Sequence, residues 1–270
     1  MDPEALQMLA DSLRTTMTAS TGAKLDTALC DLGWHDMLDE IPQFAIPLVF
    51  RLLGETGAHA PVLNDVVLCA AGDAPGGVVP LPFAGGSWVA WHRGDDDAGS
   101  AIDGGLPISR VAQGHSLQPA ALHAGRQAVG WWLVGASRAM LSLARQHAVD
   151  REQFGRRIAS FQAIRHRLAE TLVAIEGAEA TLQVAGAPAE DPDGLSSLLA
   201  KAAAGRSALM TARHCQQVLG GIGFTAEHRL HHHVKRSLIL DGLLGSTKEL
   251  TREAGKALRT KGCAPRLAEL

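Results

Sequence analysis

The sequence has no run of about 18 uncharged apolar residues, so a membrane-spanning helix is not expected. Its start, MDPEALQMLADSLRTT, lacks a basic stretch leading into an apolar one, and no secretory signal is read there. Its 4 cysteines, Cys30, Cys69, Cys215 and Cys263, stand far apart and form no CxxC pair. That spacing gives no zinc or disulfide framework and fits a reducing, cytoplasmic compartment. A net charge of −3, from 25 basic and 28 acidic residues, removes the broad positive footprint of a nucleic-acid binder. Internal repeats are absent. What is present is apolar material: 46% of the 270 residues are hydrophobic and 20% charged, enough for a sizeable core in one large domain or two smaller ones.

Three segments follow from composition. Residues 1–72 read as short helices. Leu6, Leu9 and Leu13 recur at helical spacing, Leu48, Leu52 and Leu53 share a face before Gly54 and Gly57, and Pro42, Pro47 and Pro61 punctuate the region. Residues 73–118 are rich in Gly, Pro and Asp, with β-leaning runs such as 86–92, and predict a few short strands. The run Asp95, Asp96, Asp97 reads as a solvated turn. Residues 119–270 read as helices over 120–149, 158–185 and 195–219, with a last helical region ending near Leu258. Pro188, Asp191 and Pro192 separate the second from the third, and Gly220, Gly221 and Gly223 stop the third. Long helices with short connections pack antiparallel, which predicts a four-helix up-down bundle.

Two stretches carry chemistry. One is REQFGRRIASFQ from Arg151, at the first helix junction of the bundle; the other is QVLGGIGF from Gln217, at the end of its third helix. Taken singly, a glycine after a helix is a C-cap and an arginine in a turn is solvated. Together they offer a guanidinium fork, amide side chains and exposed backbone N–H groups, which suit a pyrophosphate and an adenine edge.

RxQFGxxIxxFQ followed by QVLGGIGFT resembles the C-terminal domain of the acyl-CoA dehydrogenases, over about residues 120–258, and more weakly LGWHDMLDE and RLLGETGAHAPVLNDVVLCAAG resemble the family's first helices. The resemblance implies a flavoprotein that desaturates an acyl-CoA thioester between its α and β carbons, with N-terminal helices, a middle β-domain and a C-terminal four-helix bundle. It also implies that Arg151 reaches the FAD pyrophosphate with Gln153 and Phe154 beside it, and that Gln217, Gly220 and Gly221 meet the adenine end of a flavin bound mainly by the neighbouring subunit. A guanidinium suits the first role because it grips an oxygen pair bidentately, where an ammonium is a point charge.

Two family features are missing. The base, a Glu in an EGT triplet, aligns from Arg236 onto Gly245, with Ser246 and Thr247 completing the triplet. The minority position for the base, on the first bundle helix, falls at Gly125 beside Arg126. A general base needs an ionisable group within reach of the proton, and neither glycine supplies one. Asp241, one helical turn earlier, is the nearest carboxylate and a candidate base; its alternative is a structural role. The middle segment 73–118 is also too short to close over a flavin. The run Leu240 to Thr247, LDGLLGST, resembles the non-catalytic subunits of heteromeric acyl-CoA dehydrogenases of actinobacterial steroid catabolism. That resemblance implies a complete catalytic partner subunit, an α2β2 heterotetramer, and FAD shared with the partner. The alternatives are a self-sufficient enzyme using Asp241 and a flavin-free scaffold.

The remaining candidates have bland readings. His228, His231, His232 and His233 lack an HExxH arrangement, and consecutive residues on a helix point apart, so no metal site is expected. Trp131 and Trp132, with Met140 and Leu143, read as bundle core or subunit interface. Arg126 is weighed between supporting the active-site end of its helix and a surface salt bridge. Thr247 reads as a local cap or turn contact.

Overall fold

The computed structural model describes residues 2–94, 101–103, 105–185 and 194–262. The acidic run at 95–97, the prolines at 188 and 192, Asp191 and Cys263 lie outside them. Five helices open the chain: α1 (Pro3–Ala19), α2 (Ala23–Asp31), α3 (Trp34–Glu40), α4 (Pro42–Thr56) and α5 (Val62–Ala71). Asp2 caps α1 by accepting from the Glu4 N–H at 3.4 Å, and the predicted leucine face buries Leu13 with Met17. Two expected breaks are not breaks. Pro47 lies inside α4 near its start, and Gly54 lies inside the same helix near its end. Pro47 removes only one intrahelical bond so close to the N-terminus. Gly54 serves packing instead: a Cβ there would stand 2.4 Å from the Trp132 carbonyl oxygen.

A small antiparallel sheet follows, β1 (Pro80–Phe83), β2 (Ser87–Trp91), β3 (Ala101–Asp103) and β4 (Leu106–Val111), in the order β1-β2-β4-β3. Then come α6 (Pro119–Asp150), a two-stranded hairpin of β5 (Glu152–Gln153) and β6 (Arg156–Arg157), α7 (Gln162–Val184), α8 (Leu195–Leu219), α9 (Leu230–Gly242) and α10 (Thr247–Lys261). The architecture is mainly α, as the sequence predicts. The last helical region is divided at 243–246, so α9 and α10 share the fourth position of the bundle. The second bundle helix starts later than predicted because residues 158–160 form a 3-10 turn.

One hydrophobic core joins the N-terminal helices, the sheet and the bundle. Trp132 of α6 stacks on Trp91 of β2 with ring centroids 5.3 Å apart, and Phe50 of α4 meets it edge-on at 5.6 Å. Both tryptophans of the pair at 131–132 are buried in this core. The polar counterpart is a buried carboxylate: Asp65 accepts from Trp34 Nε1 at 3.1 Å, from the Gly76 N–H at 2.8 Å and from Arg93, which also holds Asp26 at 2.8 Å. Burial of Asp65 is tolerable because both carboxylate oxygens have donors, one of them a guanidinium.

Candidate functional site

The two motif turns lie at the same end of the bundle. Met140, Ala144 and Ala148 of α6 and Cys215, Val218 and Leu219 of α8 form a second apolar cluster, with Leu143, Ile158 and Ala159 packed against it. Above that cluster the motif side chains are exposed. Arg151, at the end of α6, has only backbone ties among the described residues: its N–H donates to the His147 carbonyl and its own carbonyl accepts from Ile158, both at 2.9 Å. The hairpin turns through Phe154 and Gly155, with φ of +54° and +74°. Two left-handed residues make the tight turn that matches strand twist, at a cost of about 1–2 kcal/mol for a non-glycine residue. That conformation leaves the Phe154 ring 91% exposed, an apolar surface with no cover in the monomer. Gln153 and Gln217 are exposed as well. Gly220 ends α8 with φ +66° and ψ −141°, and no atom lies within 4 Å of where its Cβ would be. The surface therefore has free guanidinium and amide groups and a backbone open to close approach, the chemistry that an anionic dinucleotide requires. On these grounds the residues fit a flavin dinucleotide.

The position of the family's base is built in the opposite way. Leu244 and Gly245 have φ of +57° and +102°, and the segment they form is enclosed. A Cβ on Gly245 would stand 2.7 Å from Leu250 Cδ2, and one on Gly125 would stand 2.7 Å from Leu244 Cδ1 and 3.1 Å from Val67 Cγ2. Strand β1 covers the outside: the Leu244 N–H donates to the Pro82 carbonyl at 2.7 Å, Phe83 forms a β-bridge to Leu243, and the Gly85 N–H donates to Glu249 at 2.9 Å. Glu249 also closes a capping box with Ser246 at the start of α10, and these hydrogen bonds hold its carboxyl below the ordinary range. Asp241 Oδ1 accepts from the Thr247 N–H at 3.2 Å and from its hydroxyl at 2.5 Å, so this carboxylate joins α9 to α10. Thr247 makes the local contact predicted for it.

Two buried cations hold this segment from beneath. Arg126 is only 7% exposed; its Nε donates to the Leu244 carbonyl at 3.3 Å and its guanidinium lies 3.8 Å from Glu253. It does both things weighed for it: it supports the segment from inside and reaches the exposed Glu253 carboxylate. Lys201, which the sequence reading did not single out, is fully buried in α8 and donates from Nζ to the carbonyls of Asp241, at 2.6 Å, and Gly245. Burial pushes its pKa down to about 7. The signal for it was a lone charge within LLAKAAAG, where every other residue is apolar or glycine.

The histidines have separate contacts. His228 accepts from the Leu230 N–H at 3.1 Å and faces His147 edge-on with centroids 6.5 Å apart, the His231 and His232 rings lie 3.8 Å apart, and His233 is half-buried near Gly57, where desolvation pushes its pKa down to about 4. Among the described residues no three His, Cys, Asp or Glu side chains converge on a possible metal site, and no described helix is long and apolar enough to cross a membrane.

The family model for the acyl-CoA dehydrogenase C-terminal domain matches residues 112–258. The chain belongs to the acyl-CoA dehydrogenase family. Among curated proteins it is similar to acyl-CoA dehydrogenase FadE34 of Mycobacterium tuberculosis, 34% identical over 211 residues that cover 73% of this chain and 29% of that protein. It is also similar to acyl-CoA dehydrogenase IpdE2 of the same organism, 36% identical over 119 residues, 44% of this chain and 36% of the relative. The matches thus span only about a third of each relative's length, 29% and 36%. In fold it is similar to a chain of a variant of the steroid ACAD Tcur3481-Tcur3483, with a TM-score of 0.73 and 20% identity over 96% of this chain and 98% of the other. A chain of the ChsE4-ChsE5 complex from Mycobacterium tuberculosis gives 0.71 and 20% over the same shares.

Proposed function

We propose that this chain is the non-catalytic subunit of a heteromeric, FAD-dependent acyl-CoA dehydrogenase that desaturates an acyl-CoA at its α,β bond. The observation that carries the reading is the glycine at the position of the family's base: at φ +102° and packed against the buried Leu250, it makes any side chain there both strained and crowded. Support also comes from the exposed motif face at the far end of α6. Residues 126 and 151 are 25 residues apart, about 37 Å along the helix, so groups at Arg151 cannot serve a substrate held near Leu244 of the same chain. They serve a flavin held mainly by a complete acyl-CoA dehydrogenase partner subunit.

When bound, FAD supplies the hydride acceptor for desaturation. The residues of this chain bind and orient it: Arg151 neutralises pyrophosphate oxygens with its fork, Gln153 and Gln217 offer amides, Phe154 offers an apolar ring, and Gly220 and Gly221 allow close backbone approach. Base and acyl-CoA site belong to the partner, in an α2β2 assembly in the cytoplasm with one FAD per heterodimer. In this reading residues 1–72 and 119–270 are the helical domains and 73–118 a reduced middle segment. A steroid-derived acyl group accords with the steroid ACAD variant among the structural relatives, and a second subunit with the ChsE4-ChsE5 complex. Self-sufficient catalysis through Asp241 has less support, because Thr247 already occupies one of its carboxylate oxygens through two hydrogen bonds.

Expression of the chain alone and with its native partner, with absorbance read in the flavin band, tests the proposal. Colour and turnover are expected only on co-expression. Colour with turnover from the chain alone would overturn the reading, and no colour in either preparation would make the chain a scaffold.

A further inference from the structure

The hairpin after α6 carries a second cation whose placement is set by strand register. In this ribbon Gln153 pairs with Arg156 and Glu152 with Arg157. Directly opposed residues project to the same face of a ribbon, and residues two apart on an extended strand do so too. Arg151 is itself extended, with φ −79° and ψ 127°. Arg151, Gln153 and Arg156 therefore share one face, and Glu152 with Arg157 takes the other. The carboxylate is sorted away from the two cations.

Arg156 is also held. Its guanidinium carbon lies 4.2 Å from the centroid of the Phe161 ring, and Phe154 meets that ring edge-on at 6.1 Å. Stacking uses the flat face of the guanidinium and leaves its in-plane N–H groups pointing outward. Among the described residues neither Arg156 nor Arg151 forms an ion pair with a carboxylate. Two guanidinium forks thus flank one amide on a single exposed face, with the second fork oriented by an aromatic ring.

We infer that Arg156 is a further cofactor-binding residue, which takes phosphate oxygens of the dinucleotide alongside Arg151; this rests on the reading that the hairpin faces a partner subunit's FAD. Phe161 is its positioning residue. The chemistry recognised is a pyrophosphate, since two forks on one face match two linked phosphate groups better than a single carboxylate.

The test uses the complex with the native partner, stripped of flavin and titrated with FAD while flavin fluorescence is read. Arg156→Ala should weaken FAD binding about tenfold, a typical loss for one charge-assisted contact. Arg156→Lys should recover little of it, because an ammonium neither stacks nor forks in the same way, and Phe161→Leu should give a smaller loss in the same direction. The melting temperature of the flavin-free complex should stay unchanged in Arg156→Ala. FAD affinity within about twofold of wild type in Arg156→Ala overturns the inference, and so does a loss accompanied by a lower melting temperature, which would assign Arg156 to the fold. Arg151→Ala separates the two levels. If it releases FAD while Arg156→Ala does not, only the role of Arg156 falls; if neither does, the cross-subunit reading falls with it.

Discussion

Arg126 and Arg151 stand on the same helix and meet opposite surroundings. At Arg126 the guanidinium is buried, its hydrogen bond goes to a carbonyl of its own chain, and burial lowers its pKa. At Arg151 the guanidinium is exposed beside a strained turn and has no side-chain partner among the described residues. The first end spends its polar groups on holding segment 243–246; the second keeps them unspent. Left-handed non-glycine residues stand at both ends, Phe154 and Leu244, so the contrast lies in the surface: exposed, unpaired polar groups suit something outside the monomer, whereas filled volume and saturated hydrogen bonds mark a place where no ligand enters.

Substitutions that add bulk or a carboxylate should separate the two ends most sharply. Gly125→Glu, which returns a carboxylate to the family's minority position, should cost about 3 kcal/mol or more, because Leu244 and Val67 fill the space and a buried charge is added. Chemical denaturation should show the loss, and the complex should gain no turnover; a stable, more active variant would contradict the filled-site account.

Lys201→Met comes next, at about 1–3 kcal/mol, because the Asp241 and Gly245 carbonyls lose their donor. This change also has a pH signature. The folded pKa of Lys201 is about 7, against an ordinary 10.5, so the unfolded chain binds more protons between those values. Stability gained from this group therefore rises with pH across that window and is lost as pH falls to the folded value. Urea midpoints measured across the window should slope upward in wild type relative to Lys201→Met; parallel profiles would place the amine in water.

Asp241→Asn should cost about 1 kcal/mol through its weakened hold on Thr247 and leave turnover of the complex nearly unchanged. A loss of several orders in turnover would make Asp241 the base. The smallest stability effect belongs to the open end. No neighbour lies within 4 Å of a Cβ on Gly221, so Gly221→Ala should change stability by no more than about 0.5 kcal/mol, yet it should lower flavin content by crowding the cofactor. Undiminished flavin would remove Gly221 from the site.

Much of this contrast is legible in the sequence, and the illegible part has a common cause. Leucine spacing and terminal glycines mark the helices, and the motif residues mark the open end because their use depends on local turns. The closed end depends on contacts between residues distant in the chain. Arg126 reaches the carbonyl of Leu244, 118 residues away, and Lys201 reaches backbone oxygens 40 and 44 residues away. Backbone acceptors leave no trace in residue identity, so no pattern pairs them with their donors. Gly54 reads as a helix end for the same reason: its partner is the backbone of α6, and only the helix crossing shows why a side chain is excluded there.

Flavin stoichiometry in the complex, with Arg151→Ala introduced into this chain alone, tests the central claim most directly. The account predicts that the partner still assembles and that FAD per heterodimer falls well below one, although the altered chain holds no complete flavin site. An assembled complex that keeps its full flavin content would contradict it.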